Sequence, residues 1–190
     1  MTHHPAPAWE RGDDVRATAE GALRSLIRDV PDFPLPGVLF KDIGPVLGNP
    51  AGLRAVVVAL TALAHEVGAT KVAGIEARGF LLASPIGLGA GIGVVPIRKA
   101  GKLPGKTHRV DYALEYGTAT LEIQVDAVEP GERVLIVDDV LATGGTALAA
   151  AGLMETAGAV VTGLAVLIEI GALGGRQLVS PHQVQSLLIV

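Results

Sequence analysis

Val134-Leu135-Ile136-Val137-Asp138-Asp139-Val140-Leu141-Ala142-Thr143-Gly144-Gly145-Thr146 is the stretch whose reading decides the fold. Val134 to Val137 form an unbroken aliphatic run, suited to a strand buried on both faces of a parallel sheet. Asp138 and Asp139 fall at the carboxyl end of that strand, where open α/β sheets bind ligands. Thr143 to Thr146 then form a loop with two residues lacking a Cβ, so backbone N–H groups can close around an anion at a helix N-terminus. Carboxylates accept hydrogen bonds from sugar hydroxyls, and an N–H cradle accepts a phosphate. Side by side they describe a site for a phosphorylated sugar. An ordinary buried strand with an acidic turn into a helix would explain the run, but not the crowding of two carboxylates.

Two other phosphate-binding patterns are excluded. A Walker loop needs a Lys after its glycines, and here Thr146 follows Gly144-Gly145. The glycines at 87, 89, 91 and 93 never give Gly-x-Gly-x-x-Gly, and Pro85 and Pro96 bracket them. The 190 residues fit one domain, and 49% apolar residues are ample to build its core. Only 3% are aromatic, so that core should be Val, Ile, Leu and Ala. A net charge of −4 argues against general nucleic-acid affinity, so any anion must be held by local positive charge. With no Cys there is no disulfide framework, thiolate metal site or Cys nucleophile, which agrees with a cytoplasmic location. No signal peptide is legible in residues 1–20. Gly79 to Ile97 carries no charge, but its five Gly and two Pro argue for a buried helix and strand over a membrane span.

Outward from the central stretch, the pattern predicts strands alternating with helices, hence an α/β fold with a mostly parallel sheet flanked by helices. Residues 1–12 read as a flexible lead and 13–190 as a single domain. A helix is expected over 13–29, from the spacing of Leu23, Leu26, Ile27 and Val30, and Pro31, Pro34, Pro36 and Gly37 then force an extended, turn-rich segment. Further helices are expected over about 51–67, 80–88 and 146–156, with strands at 71–76, 94–98, 118–125 and 160–170 and a small one at 186–190. Between 99 and 117, Lys, Gly, Pro, Thr and His replace the apolar runs. A polar connection of that length reads as a lid.

Four further segments bear on chemistry. The arm Val30 to Val46 is rigid and presents Phe40, whose ring suits either core packing or stacking on a planar base. The turn Gly74-Ile75-Glu76-Ala77-Arg78-Gly79-Phe80 sets an Arg at a helix start, either a diphosphate clamp or a surface cap. Arg98, Lys99, Lys102, Lys106 and Arg109 gather cations in an acidic chain, which fits a polyanionic ligand or a solvated lid. Glu115, in Tyr112-Ala113-Leu114-Glu115-Tyr116-Gly117, is a carboxylate that lid closure would bring to the site, or else an outward-facing strand-edge residue.

The central stretch resembles the phosphoribosyl-diphosphate-binding motif of type I phosphoribosyltransferases. Pro31 to Ile43, Pro-Asp-Phe-Pro-Leu-Pro-Gly-Val-Leu-Phe-Lys-Asp-Ile, matches the purine-recognising arm of the adenine phosphoribosyltransferase family. Ile97 to Gly105 and Tyr112 to Gly117 match that family's basic and lid motifs, in family order. The resemblance runs from about residue 13 to 188, with mild departures at Gly44, Ile170 and Lys41.

The resemblance implies a type I phosphoribosyltransferase fold with a small N-terminal purine-binding hood (about 30–46 plus the C-terminal segment) and a flexible lid (about 99–117). It implies transfer of phosphoribose from 5-phospho-α-D-ribose 1-diphosphate to adenine, giving AMP and diphosphate. Asp138, Asp139, Ala142, Thr143, Gly144, Gly145 and Thr146 would hold the ribose and 5-phosphate. Glu76, Ala77, Arg78, Arg98, Lys99 and Lys102 would face the diphosphate, with a non-proline cis peptide between Glu76 and Ala77. Leu39, Phe40, Lys41 and Ile170 would contact adenine, and Glu115, with Tyr116 beside it, would manage the proton. Mg²⁺ would be held mainly by the substrate and not by protein side chains. A homodimer is implied, with Lys102 reaching a partner's site, and neither nucleic acid nor membrane is expected as a partner. Enzymes of this fold acting on hypoxanthine or xanthine, and a non-catalytic sensor of phosphoribosyl diphosphate, remain as alternatives.

Overall fold

The computed structural model describes residues 12–113 and 118–190. Its elements run α1 (Gly12–Leu26), β1 (Arg28–Pro31), β2 (Leu39–Asp42), α2 (Gly44–Gly48), α3 (Pro50–Glu66), β3 (Lys71–Ile75), α4 (Arg78–Ala90), β4 (Gly93–Lys99), β5 (Thr107–Ala113), β6 (Thr118–Gln124), β7 (Arg133–Leu141), α5 (Gly145–Thr156), β8 (Val160–Glu169), α6 (Gly175–Leu178) and β9 (Val184–Ile189). One seven-stranded sheet has the order β5-β6-β4-β3-β7-β8-β9, and β1 and β2 form a separate two-stranded sheet. Strands β4, β3, β7, β8 and β9 are mutually parallel, while β6 and β5 join antiparallel at one edge.

The apolar runs dictate this arrangement. Val134 to Val137 are wholly buried because β7 lies in the middle of the sheet with helices over both faces. On one face Leu23, Leu60, Leu82 and Ile86 of α1, α3 and α4 pack on Leu135 and Val137. On the other, Leu153 and Met154 of α5 pack with Ile97, Leu121, Ile123 and Ile136. The chain leaves β3 through α4 toward β4, and leaves β7 through α5 toward β8. The two carboxyl ends therefore diverge, opening the crevice where such sheets bind ligands.

Where that crevice opens, backbone lies directly on backbone. A Cβ on Gly74 of β3 would stand 2.7 Å from the Gly79 carbonyl oxygen, and one on Gly79 of α4 would stand 2.8 Å from that of Val137. The uncharged window 79–97 divides into most of α4 and the start of β4, and among the described residues no helix is long and apolar enough to cross a membrane.

Three expectations are corrected. The first helix ends at Leu26 and not at Asp29, because Arg28–Pro31 pairs with Leu39–Asp42. Two cross-strand ion pairs, Arg28–Asp42 (2.9 Å) and Lys41–Asp29 (2.7 Å), reward that pairing. The segment expected as merely extended is thus a hairpin, its loop turned by Asp32 (φ 56°), whose carboxylate accepts from Gly37 N–H at 2.7 Å. Finally, the polar stretch 99–117 is not one long loop. After a turn at 100–106, Thr107–Ala113 is a strand in full register with β6, from Thr107↔Gln124 to Ala113↔Thr118. Polar side chains on its outer face hid the alternation.

Candidate active site

The carboxyl ends of β3 and β7 and the start of α5 enclose a cavity of about 450 Å³. A second hollow of about 770 Å³ adjoins it beneath the β1–β2 hairpin, and Arg78, Val140, Ala142, Thr143, Gly145 and Thr146 line both. The site is one crevice with a polar end and an apolar end.

At the polar end, β7 delivers Asp138 and Asp139 side by side. Asp138 accepts a hydrogen bond from the Asp139 N–H at 2.9 Å. Burial, reinforced by the neighbouring Asp139 charge, holds the Asp138 carboxyl well above the usual carboxylate range. Arg78 Nε stands 2.8 Å from Asp139 Oδ2. Its N–H is not aimed along that line, so the contact is coulombic and leaves this buried oxygen without a hydrogen bond. An oxygen in that condition is suited to accept from a ligand hydroxyl. The chain then turns at Gly144, in the left-handed region at φ 91°, and enters α5 with no side-chain cap. The first N–H groups of that helix have no intrahelical acceptor and border the cavity, as an anion cradle requires.

The opposite wall is the turn between β3 and α4. The Glu76–Ala77 peptide is cis, as the motif led us to expect. Glu76, Ala77, Arg78 and Lys99 all line the polar cavity. The Glu76 carboxylate accepts from Arg98 Nε (3.2 Å) and from the Lys99 N–H (2.9 Å), so it ties the end of β4 to this turn. Arg98 lies over the Phe80 ring at 5.8 Å and donates to the Lys102 carbonyl at 3.2 Å. Neither Arg98 nor Lys102 lines either cavity: Glu76 and Phe80 hold Arg98, and Lys102, expected to reach a partner's site, sits on the exposed 100–106 turn.

At the apolar end, Leu39, Phe40, Lys41 and Ile170 come together as expected, joined by Val38 and Leu173. Phe40 meets Phe33 edge-on (centroids 5.0 Å apart, planes at 75°). The Arg78 guanidinium carbon sits 4.9 Å above the Phe40 ring. Arg78 therefore touches both halves of the crevice: an aromatic face on one side and Asp139 on the other. Lys41 spends its ammonium group on Asp29. Glu115 and Tyr116 lie outside the described residues.

Several contributors were missed in the sequence. Tyr112, Ala119 and Leu121 of the β5–β6 hairpin wall the polar cavity. Their alternation with outward polar residues was the available signal. Glu122 is fully enclosed, and its Oε1 accepts from the Lys102 and Leu103 N–H groups at 2.9 and 3.1 Å. Set between Leu121 and Ile123, an acid in a strand reads as outward-facing, and only the pairing of β4, β5 and β6 reveals otherwise. Among the described residues no three His, Asp or Glu side chains are grouped as a metal cage would need.

Comparison with known proteins agrees with this geometry. Residues 59–186 match the phosphoribosyl transferase domain. The chain is 59% identical over 185 residues to an adenine phosphoribosyltransferase of Frankia alni, covering 97% of this chain and 96% of that one. It is 55% identical to that of Streptomyces clavuligerus over 163 residues, 86% of this chain and 92% of the other. A solved adenine phosphoribosyltransferase from Rhodothermus marinus superposes with a TM-score of 0.86 at 51% identity, covering 92% and 99% of the two chains. The Saccharomyces cerevisiae enzyme, solved with an imino-altritol bisphosphate and adenine, superposes with a TM-score of 0.86 at 36% identity over 90% and 99%. Crevice, motifs and relatives agree, and the chain belongs to the adenine phosphoribosyltransferase family, within the type I phosphoribosyltransferases.

Proposed function

We propose that this protein transfers the 5-phosphoribosyl group of 5-phospho-α-D-ribose 1-diphosphate to adenine, releasing AMP and diphosphate. The observation that carries the reading is the continuity of the crevice. An anion cradle and a carboxylate pair open directly into an aromatic-walled hollow, with Arg78 in contact with both.

A base nitrogen attacks the anomeric carbon as the diphosphate departs, and positive charge develops on the sugar. The protein's part is positional and electrostatic. Ala142 to Thr146 seat the 5-phosphate through backbone N–H groups. Asp138 and Asp139 take the ribose hydroxyls, and their negative field favours the oxocarbenium-like sugar. The Ala77–Arg78 turn and Lys99 receive the diphosphate. Leu39, Phe40 and Ile170 sandwich the base, while the Lys41 backbone borders its edge. Glu115, with Tyr116 beside it, handles the proton of adenine. Mg²⁺ would be held by the substrate's own oxygens and would supply neutralisation of the diphosphate charge. The donor set fits such substrate-held binding, since Glu76 is already engaged by Arg98 and the aspartate pair is turned to the ribose. The same reading carries a cytoplasmic homodimer in which exposed Lys102 serves a neighbour's site, built on one catalytic unit over 13–190.

The test is AMP formation from adenine and phosphoribosyl diphosphate, run with and without Mg²⁺ and with hypoxanthine and xanthine in parallel. Mg²⁺-dependent conversion of adenine alone is the expected result. Equal conversion of another purine would move the specificity, and no conversion of any base would remove the catalytic reading.

A further inference from the structure

The segment Ile170–Arg176 closes on itself. Glu169, the last residue of β8 and 5% exposed, accepts from Arg176 Nε at 2.9 Å and from Arg176 Nη2. Ser186 Oγ of β9 donates to the same carboxylate at 2.8 Å, and Arg176 Nη1 donates to the Val184 carbonyl at 2.7 Å. One planar guanidinium thus fastens the start of α6 to the ends of two adjacent strands, with the two-pronged geometry that Arg alone provides.

What this ring holds is a wall common to both ends of the crevice. Ile170 and Leu173 face the apolar hollow beside Phe40. Gly175, next to Arg176, lies against the anion cradle: a Cβ there would fall on the Ala142 carbonyl oxygen and stand 3.1 Å from Gly144 N. Reciprocally, a Cβ on Gly144 would stand 2.7 Å from the Gly175 carbonyl oxygen. Base hollow and phosphate cradle are therefore braced by one six-residue span, whose two ends are set by a single ion pair.

We infer that Arg176 is a positioning residue for both substrates: paired with Glu169, it fixes the Ile170–Gly175 wall, and with it the width of the base hollow and the seat of the phosphate loop together. Arg176 lines neither cavity, so it acts through the wall and not by touching ligand. The inference rests on the proposed reaction for the identity of the two ligands, and one arm of its test, ribose 5-phosphate binding, is independent of turnover.

Arg176→Lys keeps the charge and loses the fork, and Ser186→Ala removes a partner of the same carboxylate with little change of volume. In Arg176→Lys, the KM values for adenine and for phosphoribosyl diphosphate should rise together, each about tenfold, with kcat within about threefold. Ser186→Ala should show the same paired shift at smaller amplitude. Titration calorimetry with ribose 5-phosphate should show a matching loss of affinity, whether or not AMP is formed. A residue of purely structural importance would lower the folded, active fraction and leave both KM values where they were. The inference is overturned if folded Arg176→Lys has both KM values and the ribose 5-phosphate affinity within twofold of the parent, or if only one ligand is affected. Should the parent protein bind ribose 5-phosphate but make no AMP, the catalytic reading fails while the calorimetric comparison still decides the role of Arg176.

Discussion

Glu122→Gln tests how the turn carrying Lys102 is held. The carboxylate is fully enclosed and accepts from three donors, Lys102 N–H (2.9 Å) and Leu103 N–H (3.1 Å) on one oxygen and Thr107 Oγ (3.3 Å) on the other, with Arg109 Nε at 3.2 Å as an ion-pair partner whose N–H goes to Thr107 Oγ. A glutamine of the same shape keeps an acceptor for the two backbone groups and loses the charge. Hydrogen bonds to a charged group contribute about 1.5–3 kcal/mol against about 0.5–1.5 for neutral ones, so weakening the two backbone bonds costs roughly 2–3 kcal/mol. The Arg109 ion pair adds little, about 0.5 kcal/mol, because that side chain is 59% exposed and screened. For a chain of this size the loss corresponds to a fall in unfolding temperature of roughly 4–12 °C. Burial pushes the Glu122 carboxyl up, but the Leu103 and Lys102 N–H groups, with Thr107 and Arg109, more than offset this, and it titrates below the usual range. A depressed carboxyl stabilises the fold above its unfolded value and loses that contribution as the pH falls. The gap between parent and variant should therefore be full at pH 7.5 and shrink as acid is added below about pH 5. Thermal melts across pH are the assay. A variant that melts with the parent at pH 7.5, or a gap that widens on acidification, would refute this account of the turn.

Three further outcomes follow from the site. Asp138→Asn removes a charge buried beside Asp139 while keeping the acceptor for Asp139 N–H. Because a raised carboxyl destabilises the fold once ionised, the variant should melt higher than the parent at pH 8, by about 2–4 °C for each kcal/mol relieved, and lose that advantage in acid, while AMP formation drops; a lower melt at pH 8 would contradict the direction. Gly144→Ala forces a side chain into the left-handed region and toward the Gly175 carbonyl, a strain of about 1–3 kcal/mol, so ribose 5-phosphate affinity should fall by at least tenfold in calorimetry. Glu115→Gln should reduce kcat by about 100-fold or more with the KM for phosphoribosyl diphosphate nearly unchanged, and unaltered turnover would remove Glu115 from the mechanism.

The core of the site was legible because its signals are local. Strand, acid pair, Gly loop and helix follow without interruption over 134–156, and each constrains its neighbour. The aliphatic runs likewise gave the parallel strands and helices to within a few residues. What escaped was whatever depends on pairing between distant segments. Arg28–Pro31 looks like the end of a helix until Leu39–Asp42 is laid beside it. Thr107–Ala113 looks like a polar loop until Thr118–Gln124 supplies its hydrogen bonds. Glu122 looks solvated until β4 and β5 close over it. Arg98, held by the Glu76 carboxylate and the Lys102 carbonyl, shows the same limit in reverse. A cation cluster marks where an anion is handled, but spacing alone does not say which cations are spent on protein carboxylates and carbonyls.

The contact of Gly74, Gly79 and Val137 bears on how this enzyme tolerates change. Elsewhere the layers of the molecule are kept apart by side chains, so a substitution in the core alters their separation. Here α4 also meets β3 and β7 main chain to main chain, at Gly74, Gly79 and Val137, and the closest approach is that of bare polypeptide. The gap across which Arg78 faces Asp139 is thus set by a gauge that carries no side chain to mutate. A side chain added at Gly74 or Gly79 would meet backbone oxygen at 2.7 or 2.8 Å and push α4 off the strands, so the width of the crevice is held by residues that can only grow.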